Sequence, residues 1–302
     1  MNPSVDILTS CYRGGDYLPA FLKQIESQTI SSDIHLYLRL VQPLQEEIRL
    51  AEAFQLRNPL LVTISVTQTH ETLGASWNRL AEMGKGEFIA LWNVDDSRGT
   101  NSLQMQRDLL KSDSALDVAY GAFGETTVYG RQASVLHEEN PRSLEELRSG
   151  MHLGPFFMFR RAIYLAIGGF DEQFRSAADF DFALRLAHKG TIGHISSSLG
   201  VFLNAGTGLS TSFNAVHVYE RTSVEIRYGL TNKIKGRYLR GALTYQICTR
   251  RFKDEWYCVC SDIPNFEERQ SITVLPTRET SRVVVLYWKL LDWLESRLAR
   301  TS

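Results

Sequence analysis

The chain is poor in the features that mark several protein classes. It has four cysteines in 302 residues, Cys11, Cys248, Cys258 and Cys260, with no CxxC pair among them. That pattern does not make a zinc ligand set, and so few thiols in a chain this long fit a reducing compartment. Neither sign of charge dominates: 33 Lys and Arg face 34 Asp and Glu, a formal net charge of −1. The basic field that nucleic-acid binding uses is therefore missing, and no nucleic-acid partner is expected. No uninterrupted apolar run is long enough to span a bilayer. The opening "MNPSVDILTS" lacks the basic and long apolar regions of a signal peptide. Repeats and low-complexity tracts are also missing. These absences point to a cytoplasmic protein.

What is present is ordinary globular composition, 43% hydrophobic and 22% charged, with enough length for a substantial core. Short apolar runs alternate with helical patterns through the first hundred residues. "VDILTS" (Val5–Ser10), "IHLYLRLV" (Ile34–Val41), "LLVTISV" (Leu60–Val66) and "EFIALWNV" (Glu87–Val94) read as strands. "DYLPAFLKQIESQ", "LQEEIRLAEAFQLR" and "LGASWNRLAEM" between them read as helices. That alternation predicts βαβ units around a mostly parallel α/β sheet. Further on, "SLQMQRDLLKS" reads as a helix, and "TIGHISS" and "GVFLNAG" as strands or extended runs.

Ligands bind such sheets outside the carboxyl ends of the strands. Ser10 and Tyr12 fall at one such end, and Asn93, Asp95 and Asp96 at another. Adjacent carboxylates at a strand end repel. One reading makes Asp95–Asp96 a turn and helix start, which Asp favours. The other makes the pair a site for a hard cation, because Mg²⁺ and Mn²⁺ use one or two carboxylates together with substrate phosphates. Asp179, in "GGFDEQFRSAADFDFALRLAHKG", has the same double reading: a cap at a helix N-terminus, or a general base projecting into a cleft.

Three segments together resemble the family 2 glycosyltransferases. "ILTSCYRGGDYLPAFLKQIESQT" resembles that family's first βα unit. "GKGEFIALWNVDD" resembles its strand leading to an Asp-x-Asp motif, and "GGFDEQFRSAADFDFALRLAHKG" its Gly-x-Phe-Asp-Glu segment followed by a Glu-Asp motif. The match covers roughly Val5 to Ser212. It implies a GT-A fold at residues 1–213, with a nucleotide-sugar half at about 1–100 and an acceptor half at 101–213, followed by a mainly helical extension at 214–302. It also implies inverting transfer of a sugar from a nucleotide-diphosphate donor to the hydroxyl of a glycan or lipid-linked acceptor, in surface glycan or polysaccharide synthesis. Asp179 would be the base, and Asp95 would hold a divalent cation, Mn²⁺ or Mg²⁺. Ser10, Tyr12, Asn78, Asn93, Asp95 and Asp96 would contact substrate, while Asp181 and Arg185 match helix positions of the family.

The chain departs from the family pattern at several positions. Asn93 replaces the first acid of Asp-x-Asp, Trp77 stands where arginine is frequent, and Ala178 where glutamate is. Arg39 or its neighbours replace an acidic pair that ends the second strand, and "VFLNAGTGLSTS" offers Asn204 where a metal-binding histidine is frequent. These departures support a second reading, a non-catalytic relative that binds a glycan or a protein. Retention of Asp95, Asp96 and Asp179 together opposes it. A sugar nucleotidyltransferase shares the layout, but "TSCYRGGD" lacks the glycine-rich, basic phosphate cradle. The tail "SRVVVLYWKLLDWLESRLARTS" is amphipathic, with Val283, Leu286, Leu290 and Leu294 on one face. It would pack on its own domain or a second copy, or rest on the inner face of a membrane.

Overall fold

The computed structural model describes residues 3–138, 146, 152–206, 208, 215–228, 230, 247, 249–253 and 255–258. The amphipathic tail at 281–302 lies outside them. The first strands and helices form where the hydrophobic periodicity places them. β1 (Val5–Cys11), β2 (Ile34–Val41), β3 (Val62–Thr67) and β4 (Phe88–Leu91) alternate with α1 (Leu18–Glu26), α2 (Gln45–Arg57) and α3 (Leu73–Met83). A two-residue β5 (Ser97–Arg98) and α4 (Ser102–Ser112) follow. Next come β6 (Val118–Gly121), β7 (Phe123–Thr126), β8 (Val135–His137) and β9 (Met158–Arg160). Then α5 (Arg161–Ile167), α6 (Ala178–Lys189), β10 (Ile192–Ile195) and β11 (Gly200–Leu203) complete the sheet region. Beyond 213 lie α7 (Ala215–Arg227) and a hairpin of β12 (Thr249–Phe252) and β13 (Glu255–Cys258).

Seven strands make the main sheet in the order β10-β6-β9-β4-β1-β2-β3. All neighbours are parallel except β9, which runs antiparallel to both β4 and β6. Met158 therefore pairs with Ala90 on one side and Ala119 on the other. A smaller sheet, β5-β11-β7-β8, stands beside it.

Each strand face is committed to a different core. On β2, Ile34, Leu36, Leu38 and Leu40 pack with Phe21 and Ile25 of α1, Phe54 of α2 and Leu103 and Leu110 of α4. The opposite face meets α3, α5 and α6 through Trp77, Leu80, Tyr164 and Phe182. The result is a three-layer α/β/α arrangement, the expected way to bury both faces of a parallel sheet. Aromatic rings fill the second core: Phe170 and Phe182 centroids lie 4.1 Å apart, and Trp77 and Phe170 5.0 Å apart.

Three glycines, two of them at the end of α5 and one at the start of α3, allow α3 to approach α5 and α6. Gly168 caps α5 in the left-handed region at φ 76°, and Gly169 follows at φ 64°. At Gly74 a side chain would sit 3.1 Å from the Asp171 carbonyl oxygen and 3.2 Å from Ala178 Cβ. The start of α3 thus lies directly against the start of α6.

Candidate active site

The carboxyl end of β1 turns sharply into α1. Arg13 sits there at φ 52°, and Gln42 takes φ 46° just after β2. Both are non-glycine residues in the left-handed region, a conformation that clusters at functional sites. Tyr12 is 46% exposed, meets His70 edge-on at 5.8 Å and lies under the Arg13 guanidinium at 5.2 Å. Ser10 is half-buried one register position along, opposite Arg39.

Where the sequence resemblance expects an acid after β2, the structure supplies one from the next loop. Arg39 forks onto Glu71, with Nε 2.5 Å and Nη2 3.0 Å from its two oxygens. Ser76 donates to Glu71 at 2.7 Å, and Arg79 approaches at 3.2 Å. Burial would raise the Glu71 carboxyl, but these donors and cations hold it below its usual range.

The segment after β4 is pinned from several sides. Thr9 Oγ1 donates to the Trp92 carbonyl at 2.8 Å, and Trp92 Nε1 donates to the Asp96 carbonyl at 3.0 Å. The two acids then take different roles. Asp96 is buried, accepting from the Leu203 N–H at 3.1 Å and the Asn93 amide at 3.2 Å. Burial first, then the neighbouring Asp95 charge, push it up to about 8. Its oxygens tie the segment after β4 to β11, and Asp96, expected to contact substrate, is enclosed by protein. Asp95 is half-buried and also raised by burial. Among the described residues it makes no ion pair. The nearby Arg98 directs its guanidinium to Gln106 and the Leu91 carbonyl, at 2.8 and 2.9 Å.

Asn78, also expected to contact substrate, is likewise enclosed. It is 2% exposed, and its amide is fully used: Nδ2 donates to the Phe170 carbonyl and to Glu172, while Oδ1 accepts from Tyr164 Oη and the Phe170 N–H, all at 2.9 Å. Its side chain has no bond left for a ligand. It holds the glycine turn that leads to α6 against α3.

Asp179 lies on the first turn of α6, half-buried, with Oδ1 accepting from the Phe180 N–H at 2.8 Å. Burial raises its carboxyl; that N–H and the Arg221 charge pull it partly back. Among the described residues it too makes no ion pair. Asp181, two residues on, is enclosed. Arg185 Nε donates to it at 2.9 Å, Arg227 Nη1 at 2.5 Å and Tyr228 Oη at 3.1 Å. Burial would raise Asp181, but Arg185 and Arg227 outweigh it and hold the carboxyl low. Arg227 also reaches Asp171 at 3.0 Å. Asp181 and Arg185 are thus framework, as the helix positions suggested.

Asn204, just after β11, donates to Glu125 Oε1 at 2.9 Å, and Glu125 Oε2 lies 2.9 Å from His137 Nε2. A histidine is present, but on β8, and it is linked to Asn204 only through Glu125. His194 packs against Tyr120 at 4.9 Å, and His217 bonds Ser176 Oγ at 2.9 Å. Among the described residues no helix is long and apolar enough to cross a membrane.

Comparison with solved structures gives the fold a precedent. TarS 1–349 of S. aureus in complex with UDP-GlcNAc superimposes with a TM-score of 0.62 at 16% identity, over 82% of this chain and 71% of that one. A mannosyltransferase of Pyrobaculum calidifontis in complex with GDP-Man and Mn²⁺ gives 0.58 at 13% identity, over 82% and 72%. The chain has the GT-A glycosyltransferase fold. A curated relative, chondroitin synthase of Escherichia coli, is 23% identical over 194 residues. The match spans 64% of this chain but only 28% of that protein. No family model matches the chain. The resemblance to glycosyltransferases read from the sequence is borne out by these similarities.

Within the GT-A frame, Ser10, Tyr12, Asn93 and Asp95 gather at the carboxyl ends of β1 and β4, and Asp179 lies at the start of α6. Sequence reasoning missed Glu71, His70, Glu125 and His137, all brought in by loops or by the small sheet. It also missed what α7 contributes. Glu220 of that helix accepts from the N–H groups of Arg175 at 3.0 Å, Ser176 at 2.7 Å and Ala177 at 3.2 Å.

Proposed function

We propose that the protein is an inverting glycosyltransferase that moves a sugar from a nucleotide-diphosphate donor to an acceptor hydroxyl. One observation carries the reading. On a GT-A fold, two half-buried carboxylates, Asp95 after β4 and Asp179 on α6, are raised by burial and lack an ion pair among the described residues. Burying a carboxylate without a partner is costly, and such groups concentrate at functional sites.

The role of each follows from the chemistry. An acceptor hydroxyl is a poor nucleophile until its proton is taken, and a carboxylate with a raised pKa is the better base. As the acceptor oxygen bonds to the anomeric carbon, its proton passes to Asp179. The bond to the diphosphate oxygen breaks, and the electron pair leaves with the nucleotide. A single displacement inverts the anomeric centre through a transition state of oxocarbenium character, without a covalent enzyme intermediate. Tyr12, exposed and flanked by His70 and Arg13, offers a ring on which a nucleobase stacks.

A divalent ion fits at Asp95. Among the described residues no cluster of three or more His, Cys, Asp or Glu forms a protein cage for a metal. Mg²⁺ and Mn²⁺ accept a single carboxylate, with substrate phosphates and water completing the shell. Bound there, the ion would supply Lewis-acid stabilisation of the departing diphosphate. Mn²⁺ with GDP-Man in the mannosyltransferase neighbour supports this. The same fold bound to UDP-GlcNAc in TarS supports a nucleotide-sugar donor. The similarity to chondroitin synthase supports a role in polysaccharide or surface-glycan synthesis, with a glycan or lipid-linked acceptor.

The test is a thermal-shift panel of UDP, GDP, dTDP and CMP, with and without Mn²⁺, on wild type and Asp95→Ala. A ligand that binds only the folded state at ~100 times its Kd adds about 2.7 kcal/mol of apparent stability. One nucleotide should stabilise the wild type only with Mn²⁺, and Asp95→Ala should lose the effect. If no nucleotide shifts the folded wild type, the reading falls and the non-catalytic alternative takes its place.

A further inference from the structure

α6 begins without a cap of its own. Its N-cap is Ala177, which offers no side-chain acceptor, and the N–H groups at a helix start need partners. Another helix supplies the missing acceptor. Glu220, 2% exposed on α7, accepts from the three successive N–H groups of Arg175, Ser176 and Ala177. Three convergent N–H groups on one carboxylate form an anion nest built for a negative side chain. The same face of α7 adds two further contacts to this turn. His217 Nδ1 lies 2.9 Å from Ser176 Oγ, and the Arg221 guanidinium lies over the Phe180 ring at 5.1 Å. Residues 217, 220 and 221 share one helix face by their three- and four-residue spacing.

Asp179 lies two residues beyond this nest. We propose that Glu220 is a positioning residue for Asp179: by clamping the turn at 175–177 from α7, it fixes where α6 starts and hence where the base presents its carboxylate. This inference rests on the glycosyltransferase reading and extends it, because part of the machinery then comes from the segment beyond the sheet region. Misplacing a base by about 1 Å is enough to cost on the order of a hundredfold in rate.

The experiment compares wild type, Glu220→Gln, Glu220→Ala, Asp179→Asn and Asp33→Asn. Asp33→Asn removes the Arg107 ion pair at the amino end of β2, far in sequence from α6, and serves as a destabilised control. Each is assayed for nucleoside-diphosphate release from a panel of UDP-, GDP- and dTDP-sugars with water as the acceptor, with thermal unfolding and amide exchange of residues 175–181. Glu220→Ala should keep the donor KM within about twofold, lower kcat about 10- to 100-fold and speed exchange at 175–177. Glu220→Gln, which retains an acceptor oxygen, should recover part of that loss. Asp33→Asn should lower Tm but leave kcat unchanged. Should Glu220→Ala unfold, Glu220→Gln alone decides: wild-type kcat in that variant overturns the proposal. Wild-type kcat in a folded Glu220→Ala, with Asp179→Asn inactive, overturns the positioning role alone. Full turnover in Asp179→Asn removes the base assignment and the positioning role with it. A folded wild type that releases nucleoside diphosphate from no donor overturns the glycosyltransferase reading.

Discussion

Replacing Arg227 with methionine tests the buried ion network around Asp181 and Asp171. Its guanidinium lies 2.5 Å from Asp181 and 3.0 Å from Asp171, and both carboxylates are fully buried. It also donates to the Thr249 carbonyl at 2.9 Å. Methionine fills much of the volume but leaves Asp181 with Arg185 alone and takes from Asp171 its Arg227 ion pair. Removing one partner of a buried ion pair costs about 3–5 kcal/mol. At roughly 2–4 °C per kcal/mol for a domain of this size, Tm should fall by about 6–20 °C. The loss should depend on pH in a defined direction. In the wild type the folded Asp181 carboxyl is held low, so its contribution is present above the unfolded carboxylate value of about 3.9 and is lost as pH falls through the lower, folded value. In Arg227→Met, Asp171, already raised by burial, rises further and Asp181 loses one of the two cations that hold it low, so the variant loses stability relative to wild type as pH rises past about 4. The difference between the proteins is thus largest near neutral pH and shrinks on acidification. Urea unfolding at pH 7 and about pH 3.5 measures it. A variant within about 1 kcal/mol of wild type at pH 7, or a difference unchanged at the lower pH, refutes the reasoning. Adding Asp171→Asn to Arg227→Met removes one stranded charge and should recover part of the loss.

Asn78→Ala should cost at least about 3 kcal/mol in urea unfolding, because it strands three buried partners, the Phe170 carbonyl and N–H and the Tyr164 hydroxyl, at about 1–3 kcal/mol for each group left unpaired. In the folded fraction its nucleotide-induced thermal shift should match wild type; a lost shift at unchanged stability would restore Asn78 to the donor site. Cys11, buried and pushed up to about 12 by burial and then by Glu47, should resist alkylation at pH 8 in the native protein and react once unfolded. Mass spectrometry of iodoacetamide-treated protein reads this directly, and rapid native labelling of Cys11 would contradict its placement.

Local pattern located the elements well where each residue's environment is set by its own segment. β2, α3 and α4 fall on the boundaries that hydrophobic spacing marks, because their apolar stripes face one core without interruption. β4 comes out shorter than its run, since Trp92 and Val94 leave the ladder to pack beneath the acidic turn. The insertion of β9 between β4 and β6 had no signal: "MFR" is three residues long, and its pairing is decided by partners about seventy and forty residues away. At the site, the sequence places Asp95 after a strand and Asp179 at a helix start, and both lie there. Spacing also puts Asn78 and Asp96 near a cleft, but it does not show which way their hydrogen bonds are spent, and both spend them inside the protein. Glu220 was invisible because its partners are backbone N–H groups about forty-five residues earlier. Its one sequence trace is polar His217, Glu220 and Arg227 on the buried stripe of an otherwise ordinary helix.

The antiparallel strand β9 has a mechanical consequence. Phe159 is laced to Ile89 of β4 on one side and to Val118 of β6 on the other, so the two sides are bolted across a common plank and share no seam along which to swing. Opening them would mean tearing backbone ladders on both edges at once. If the protein handles a sugar nucleotide as proposed, its entry and exit fall to the rim, to the turns after β1, β3 and β7. A change of donor sugar would then be written in those turns, while the plank stays as it is.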